Sequence, residues 1–117
     1  MSAPNISALS SVLGKSVVQT CTTSAANMVV NSSSSNQVYK LNTILACNYN
    51  TTAIELSVIF NDNGSSYSFV SGLSIPAKST IDILQSGKIY LEENDSLQIS
   101  ASATGSINVL ASYEIIA

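Results

Sequence analysis

Apolar side chains recur at every second position along most of this chain, and that period of two restricts it to strands. The clearest stretch runs from Ala53 to Asn61. Ile54, Leu56, Val58 and Phe60 face one way, and Ala53, Glu55, Ser57 and Asn61 face the other, with Ile59 the one exception. Leu97, Ile99 and Ala101 alternate with Ser96, Gln98 and Ser100. Ile107, Val109, Ala111, Tyr113 and Ile115 alternate with Asn108, Leu110, Ser112, Glu114 and Ile116. One apolar face and one Ser/Asn/Gln face is the signature of half-buried antiparallel strands. The run from Tyr39 to Asn48 is apolar on both parities at Ile44-Leu45-Ala46-Cys47, which predicts a central strand or one covered on both faces.

Turn chemistry divides the strands. Asn63-Gly64 is a strong hairpin signal between Ile59-Phe60 and Tyr67-Phe69, because a two-residue hairpin turn needs positive φ at both positions. Pro76 places Leu73-Ser74-Ile75 at a sheet edge or a bend. Ser86-Gly87, Glu93-Asn94-Asp95 and Thr104-Gly105 supply further turns. About eight strands result, at 16–22, 27–31, 37–48, 53–61, 66–73, 79–84, 88–91 and 95–102, with a closing one at 106–116. The expected fold is an all-β antiparallel sandwich, jelly-roll or immunoglobulin-like, over residues 15–117, preceded by an extended arm over 1–14. Residues 32–36, Ser-Ser-Ser-Ser-Asn, read as a low-complexity loop bulging from it.

Composition then removes functions. The chain of 117 residues has four lysines, no arginine, no histidine and a net charge of −3, so it offers phosphates almost nothing. Lacking histidine, it lacks the commonest general base and a principal zinc ligand. The expectation is a non-enzyme without cofactor or metal, binding neither nucleic acid nor membrane. The opening residues carry no basic and apolar leader, so assembly in a cytoplasm is expected, with Cys21 and Cys47 as free thiols. Sequons at Asn5, Asn31, Asn50, Asn63 and Asn94 follow from the abundance of Asn and Ser.

Three clusters merit weighing. Asn61-Asp62-Asn63-Gly64 resembles the opening of a calcium loop, but it holds one carboxylate and no closing glutamate, so a hairpin turn is expected. Glu92, Glu93 and Asp95 could supply paired carboxylates for glycoside hydrolysis. Three acids at a turn more commonly bond nearby backbone N–H groups. Tyr49 and Tyr67 could stack on sugars, which is the basis of an alternative reading as a carbohydrate-binding or adhesion module. What remains is surface: outward faces poor in charge suit protein contacts. The candidate interface residues are Ile6, Leu9, Val12 and Leu13 on the arm, with Tyr49 and Tyr67.

Four segments carry a family resemblance: Ser11-Val12-Leu13-Gly14-Lys15, Leu45-Ala46-Cys47-Asn48, Ile75-Pro76-Ala77-Lys78-Ser79, and Tyr90 through Leu97. The closing Ala111-Ser112-Tyr113-Glu114-Ile115 fits as well. Together they resemble the small β-sandwich virion proteins of tailed bacteriophages, cyanophages included. The chain departs from that pattern at Lys78, where a glycine or another small residue usually stands. The resemblance implies a structural virion protein without catalytic residues. A capsid decoration (cement) subunit is expected first, and a neck or tail-associated protein second. Its partners would be the major capsid protein or other virion proteins, and its own copies in an oligomer such as a trimer.

Overall fold

The computed structural model describes residues 12–117. Nine strands follow one another: β1 (Val12–Thr20), β2 (Ala26–Val30), β3 (Val38–Asn48), β4 (Ile54–Asp62), β5 (Ser65–Ile75), β6 (Ser79–Asp82), β7 (Ile89–Leu91), β8 (Ser96–Ala101) and β9 (Ile107–Ile116). They form two antiparallel sheets. The first, sheet A, has the order β1-β9-β3-β6, with β7 also on β3; the second, sheet B, has the order β2-β8-β4-β5.

The pairings are nested. β4 pairs with β5, β3 with β6 and β7, β2 with β8, and β1 with β9. The chain is thus one long hairpin, tipped at residues 63–64 and rolled so that successive rungs fall in alternate sheets. Lateral pairing of β9 with β3 and of β8 with β4 completes the sheets. This is jelly-roll order, which decides between the two sandwich topologies left open by periodicity.

The predicted alternation positions the core. Leu41, Ile44 and Ala46 of β3 and Ile107, Val109 and Ala111 of β9 face Leu56 and Val58 of β4 and Leu97 and Ile99 of β8 across the interior. β3 is indeed central, with β9 on one side and β6 and β7 on the other. β5 ends at Ile75 and is a sheet edge, as Pro76 requires. Asp62 pairs with Ser65, so Asn63-Gly64 is a two-residue turn with φ of 50° and 98°, and Asn61 Oδ1 accepts the Gly64 N–H at 3.0 Å. The calcium-loop alternative at Asp62 therefore gives way to the hairpin.

Most boundaries lie within two residues of expectation, and two shifts have a visible cause. β1 begins at Val12, so Val12, Leu13 and Gly14 belong to a strand and not to an arm; Val12 pairs with Ile116 and Leu13 with Ile115. A β-branched residue beside an open ladder position extends the strand, and nothing within 4 Å of Gly14 would obstruct a side chain there. The stretch predicted as strand to residue 84 stops at Asp82. There the Asp82 carboxylate accepts the N–H groups of Leu84 at 3.2 Å and Gln85 at 3.1 Å, turning the chain away before β7 returns to β3. The candidate residues Ile6 and Leu9 lie outside the described residues.

Candidate interaction surfaces

Each end of the sandwich is closed by a buried asparagine that serves as a clamp. At the end formed by residues 49–53, 76–78 and 102–106, Asn48 is fully buried. Its Nδ2 donates to the carbonyls of Thr52 and Ile75, both at 2.9 Å, and its Oδ1 accepts the Asn50 N–H at 2.9 Å. Tyr49 donates its hydroxyl to the Gly105 carbonyl, and its own carbonyl accepts from Lys78 Nζ at 2.9 Å. Lys78 holds φ at 59°, a left-handed conformation that costs a non-glycine residue about 1–2 kcal/mol. That is the physical reason a glycine suits this bend, and the Nζ bond to Tyr49 offsets part of the strain.

At the opposite end Asn31 repeats the device. Its Nδ2 donates to the carbonyls of Gln37 and Leu91, each at 2.9 Å, and Ser35 Oγ donates to its Oδ1. The Ser-rich loop is consequently tied down through Asn31 and through Asn36, whose N–H reaches Glu93 Oε2 at 2.8 Å. Asp95 is buried and accepts two N–H groups, from Glu92 at 2.9 Å and from Asn63 of the hairpin tip at 3.2 Å. Burial pushes its carboxyl above the usual range, partly countered by those two bonds. Asn94 Nδ2 donates to Asn63 Oδ1 at 2.7 Å. Glu93 and Asp95 thus clamp three loops together, while Glu92, the third acid of the cluster, is exposed. A polar cleft of about 170 Å³ lies here, lined by Asn31, Asn61, Gly64, Asn94 and Asp95 among others.

The candidate interface residues are not brought into one patch. Tyr67 pairs with Phe60 near the hairpin tip, while Tyr49 lies beyond Asn48 at the other end, roughly 20 Å away along the strands. The two tyrosines therefore form no joint sugar platform. Val12 and Leu13 lie on β1, the outer strand of sheet A, and are 50% and 58% exposed.

The outer face of sheet A carries a feature that alternation in single strands does not reveal. Val18, Leu110 and Leu45 are cross-strand neighbours on β1, β9 and β3, and form a stripe running across the strands. On one side of it lies the row Ser16–Ser112–Thr43, and on the other the row Thr20–Asn108–Cys47. Val18 is 65% exposed and Leu110 39%. β5 is also exposed over most of its length, including Tyr67, Phe69 and Leu73, and it contains no charged residue.

Both cysteines are free thiols. Cys21 is buried, with burial pushing its thiol up to about 11, whereas Cys47 is half-buried on the outer face of sheet A. Because thiolate is the reactive species, an aqueous disulfide reagent is expected to label Cys47 in the native protein and Cys21 only on unfolding. Counting labelled sites by intact mass before and after adding guanidinium checks this, and native labelling of both would contradict the assigned faces.

Sequence reading passed over Asn31, Asn48 and the stripe. Asn48 shares the core parity of Ile44 and Ala46, and Asn31 follows Val29 at the same spacing, so a polar residue at a core position was the available signal. The stripe has no such signal, because it depends on register.

No family model matches the chain, and no curated protein matches it in sequence. Among solved structures, the chain is similar to one described under the heading of Bacillus endospore appendages that form a family of disulfide-linked pili. The TM-score is 0.52 at 12% identity, covering 99% of this chain and 95% of that one. The likeness is one of fold alone.

Proposed function

We propose that this chain is a structural subunit that acts through protein–protein contacts, and specifically a virion protein of a tailed phage that decorates the capsid shell. The observation that carries the assembly reading is the surface of sheet A and of β5. Exposed apolar residues there lie among Ser, Thr and Asn with few charges. Low charge keeps desolvation inexpensive on association, and uncovered strand edges of this kind are an aggregation hazard in a free protein. The acidic groups Glu93 and Asp95 are engaged in holding loops, which supports a non-catalytic role.

The capsid assignment comes from the sequence resemblance to small phage sandwich proteins. Decoration requires a rigid block that presents weak contacts many times over, so that avidity supplies the affinity. The clamped ends of this jelly roll suit such a block.

Quantitative mass spectrometry of purified particles tests the proposal. Copies in the hundreds per particle are expected for decoration. A ring of six or twelve would move the protein to the neck or tail, and absence from particles would overturn the virion reading. A second reading, a repeating subunit of a fibre, draws on the use of the same fold in the pilus structure above. A sugar-binding role is less favoured because Tyr49 and Tyr67 lie at opposite ends; glycan binding lost on Tyr67→Ala would restore it.

A further inference from the structure

We propose that Asn63 is a site of spontaneous covalent modification, at which its side-chain amide closes onto the Gly64 nitrogen with loss of ammonia, and that the clamp around the hairpin tip holds this reaction back. The inference is independent of the assembly reading. It begins with placement. Of the eleven asparagines only Asn63 precedes a glycine, and both residues are exposed at the tip between β4 and β5. Glycine has no Cβ to shield its nitrogen, and no other group lies within 4 Å of where one would stand on Gly64. The ten other asparagines precede residues whose side chains crowd the attacking nitrogen, and Asn31 and Asn48 are fully buried besides.

The reaction balances with water alone. A solvent base takes the Gly64 amide proton, and the electron pair left on the nitrogen forms a bond to Asn63 Cγ. The tetrahedral carbon expels its amino group, which takes up a proton and leaves as ammonia, and a succinimide ring remains. Water then adds to one of the two ring carbonyls and opens the ring. Addition at the side-chain carbonyl leaves an ordinary aspartate at position 63. Addition at the main-chain carbonyl leaves isoaspartate, with the chain running through the former side chain. Water enters, ammonia leaves, and nothing is oxidised or reduced.

The fold opposes ring closure. The Gly64 N–H is donated to Asn61 Oδ1 at 3.0 Å, and that bond must be given up before the nitrogen can attack. Asn94 Nδ2 holds Asn63 Oδ1 at 2.7 Å, and Asp95 Oδ1 accepts the Asn63 N–H at 3.2 Å. Side chain and main chain of Asn63 are therefore both tied to the turn that precedes β8. Charge adds to the restraint. Asp62 and Glu92 both repel Asp95 across this end, and a transient anion on the Gly64 nitrogen is disfavoured beside them. Modification proceeds through the state in which the tip has let go, and its rate follows the population of that state. Either product sets a new carboxylate among these acids, and isoaspartate also lengthens the main chain within a two-residue turn. The modification is thus an irreversible record of tip opening, and it loosens the end that it marks.

Incubation of the full chain in mildly alkaline buffer, with and without guanidinium, tests this when followed by peptide mapping with tandem mass spectrometry. In guanidinium the mass gained as OH replaces NH2 is expected first at Asn63. Asn63→Gln, whose longer amide does not close the same ring, is expected to lack it. The native chain is expected to react slower by about tenfold or more, since three hydrogen bonds hold the tip. Asn94→Gly and Asn61→Ala each remove one of these bonds and are expected to speed the native reaction about fivefold. Glycine suits position 94, where φ is 68°. An unchanged circular dichroism spectrum shows the variants folded; where one does not fold, the other variant and the guanidinium comparison carry the test. Modification of the unfolded chain at another asparagine ahead of Asn63 would overturn the site. Equal rates in the native and unfolded chain would overturn the restraint, as would a native rate unmoved by either variant.

Discussion

Replacing Asn48 by leucine is expected to destabilise the fold by about 3 kcal/mol, although the substitution puts an apolar residue into a fully buried position. The native side chain bonds the carbonyls of Thr52 and Ile75 and the N–H of Asn50. Leucine restores none of these, and each buried polar group left without a partner costs about 1–3 kcal/mol. The gain from burying an aliphatic side chain, on the order of 2 kcal/mol, recovers part of the loss. For a domain near 100 residues the net corresponds to a fall in Tm on the order of 10–15 °C. Thermal denaturation checks it. Asn48→Asp is the informative companion, because it keeps the acceptor for Asn50 and loses both donors. A melt within 2–3 °C of the native one, about half a kcal/mol, for Asn48→Leu would show that Asn48 does not close that end of the sandwich.

The second large effect is expected at Leu97. This residue is fully buried on β8, with Val29 and Phe60 as its cross-strand neighbours. Leu97→Ala removes about three methylene equivalents and leaves a cavity between two sheets whose spacing is fixed by many other contacts. The expected cost is about 3–4 kcal/mol, since partial collapse recovers little in a close-packed interior. Leu110→Ala is the matched control. It deletes the same atoms from the outer face of sheet A, where water already reaches the side chain, and is expected to cost under about 1 kcal/mol. Urea denaturation of both variants gives the comparison directly. Equal losses would mean that sheet A is covered on its outer side in the isolated protein.

The strands were legible because their signal is local. Alternation at Ile54–Phe60, Leu97–Ala101 and Ile107–Tyr113 marks which side chains face inward, whatever the strands pair with. Asn63-Gly64 was legible for the same reason: the positive φ that the turn demands is a property of two residues. The start of β1 was not. Val12 and Leu13 extend the strand because Ile116 and Ile115 lie opposite, and those partners are about 100 positions away in the chain.

The clamps were half legible. Asn31, Asn48, Glu93 and Asp95 are all visible in the sequence as polar residues near turns, and such residues bond backbone in most settings. Which backbone they bond was not visible. Asn31 reaches the Leu91 carbonyl and Asn48 the Ile75 carbonyl, across 60 and 27 positions. Lys78 shows how a local rule yields to a distant contact. It holds a left-handed conformation that a glycine would adopt without strain, and its ammonium bonds the Tyr49 carbonyl 29 positions earlier.

By itself the sequence determined that this protein is made of strands, which faces of them are buried, where the chain turns, and that histidine- and arginine-dependent chemistry is closed to it. All of these follow from residue identity and near-neighbour spacing. Only the tertiary structure decided that the strands nest as a jelly roll, that the acids and asparagines hold loops, and that Val18, Leu110 and Leu45 form one stripe. Each of those depends on register between strands distant in sequence. Register is fixed by the sum of core packing over both sheets, and no single segment carries that information.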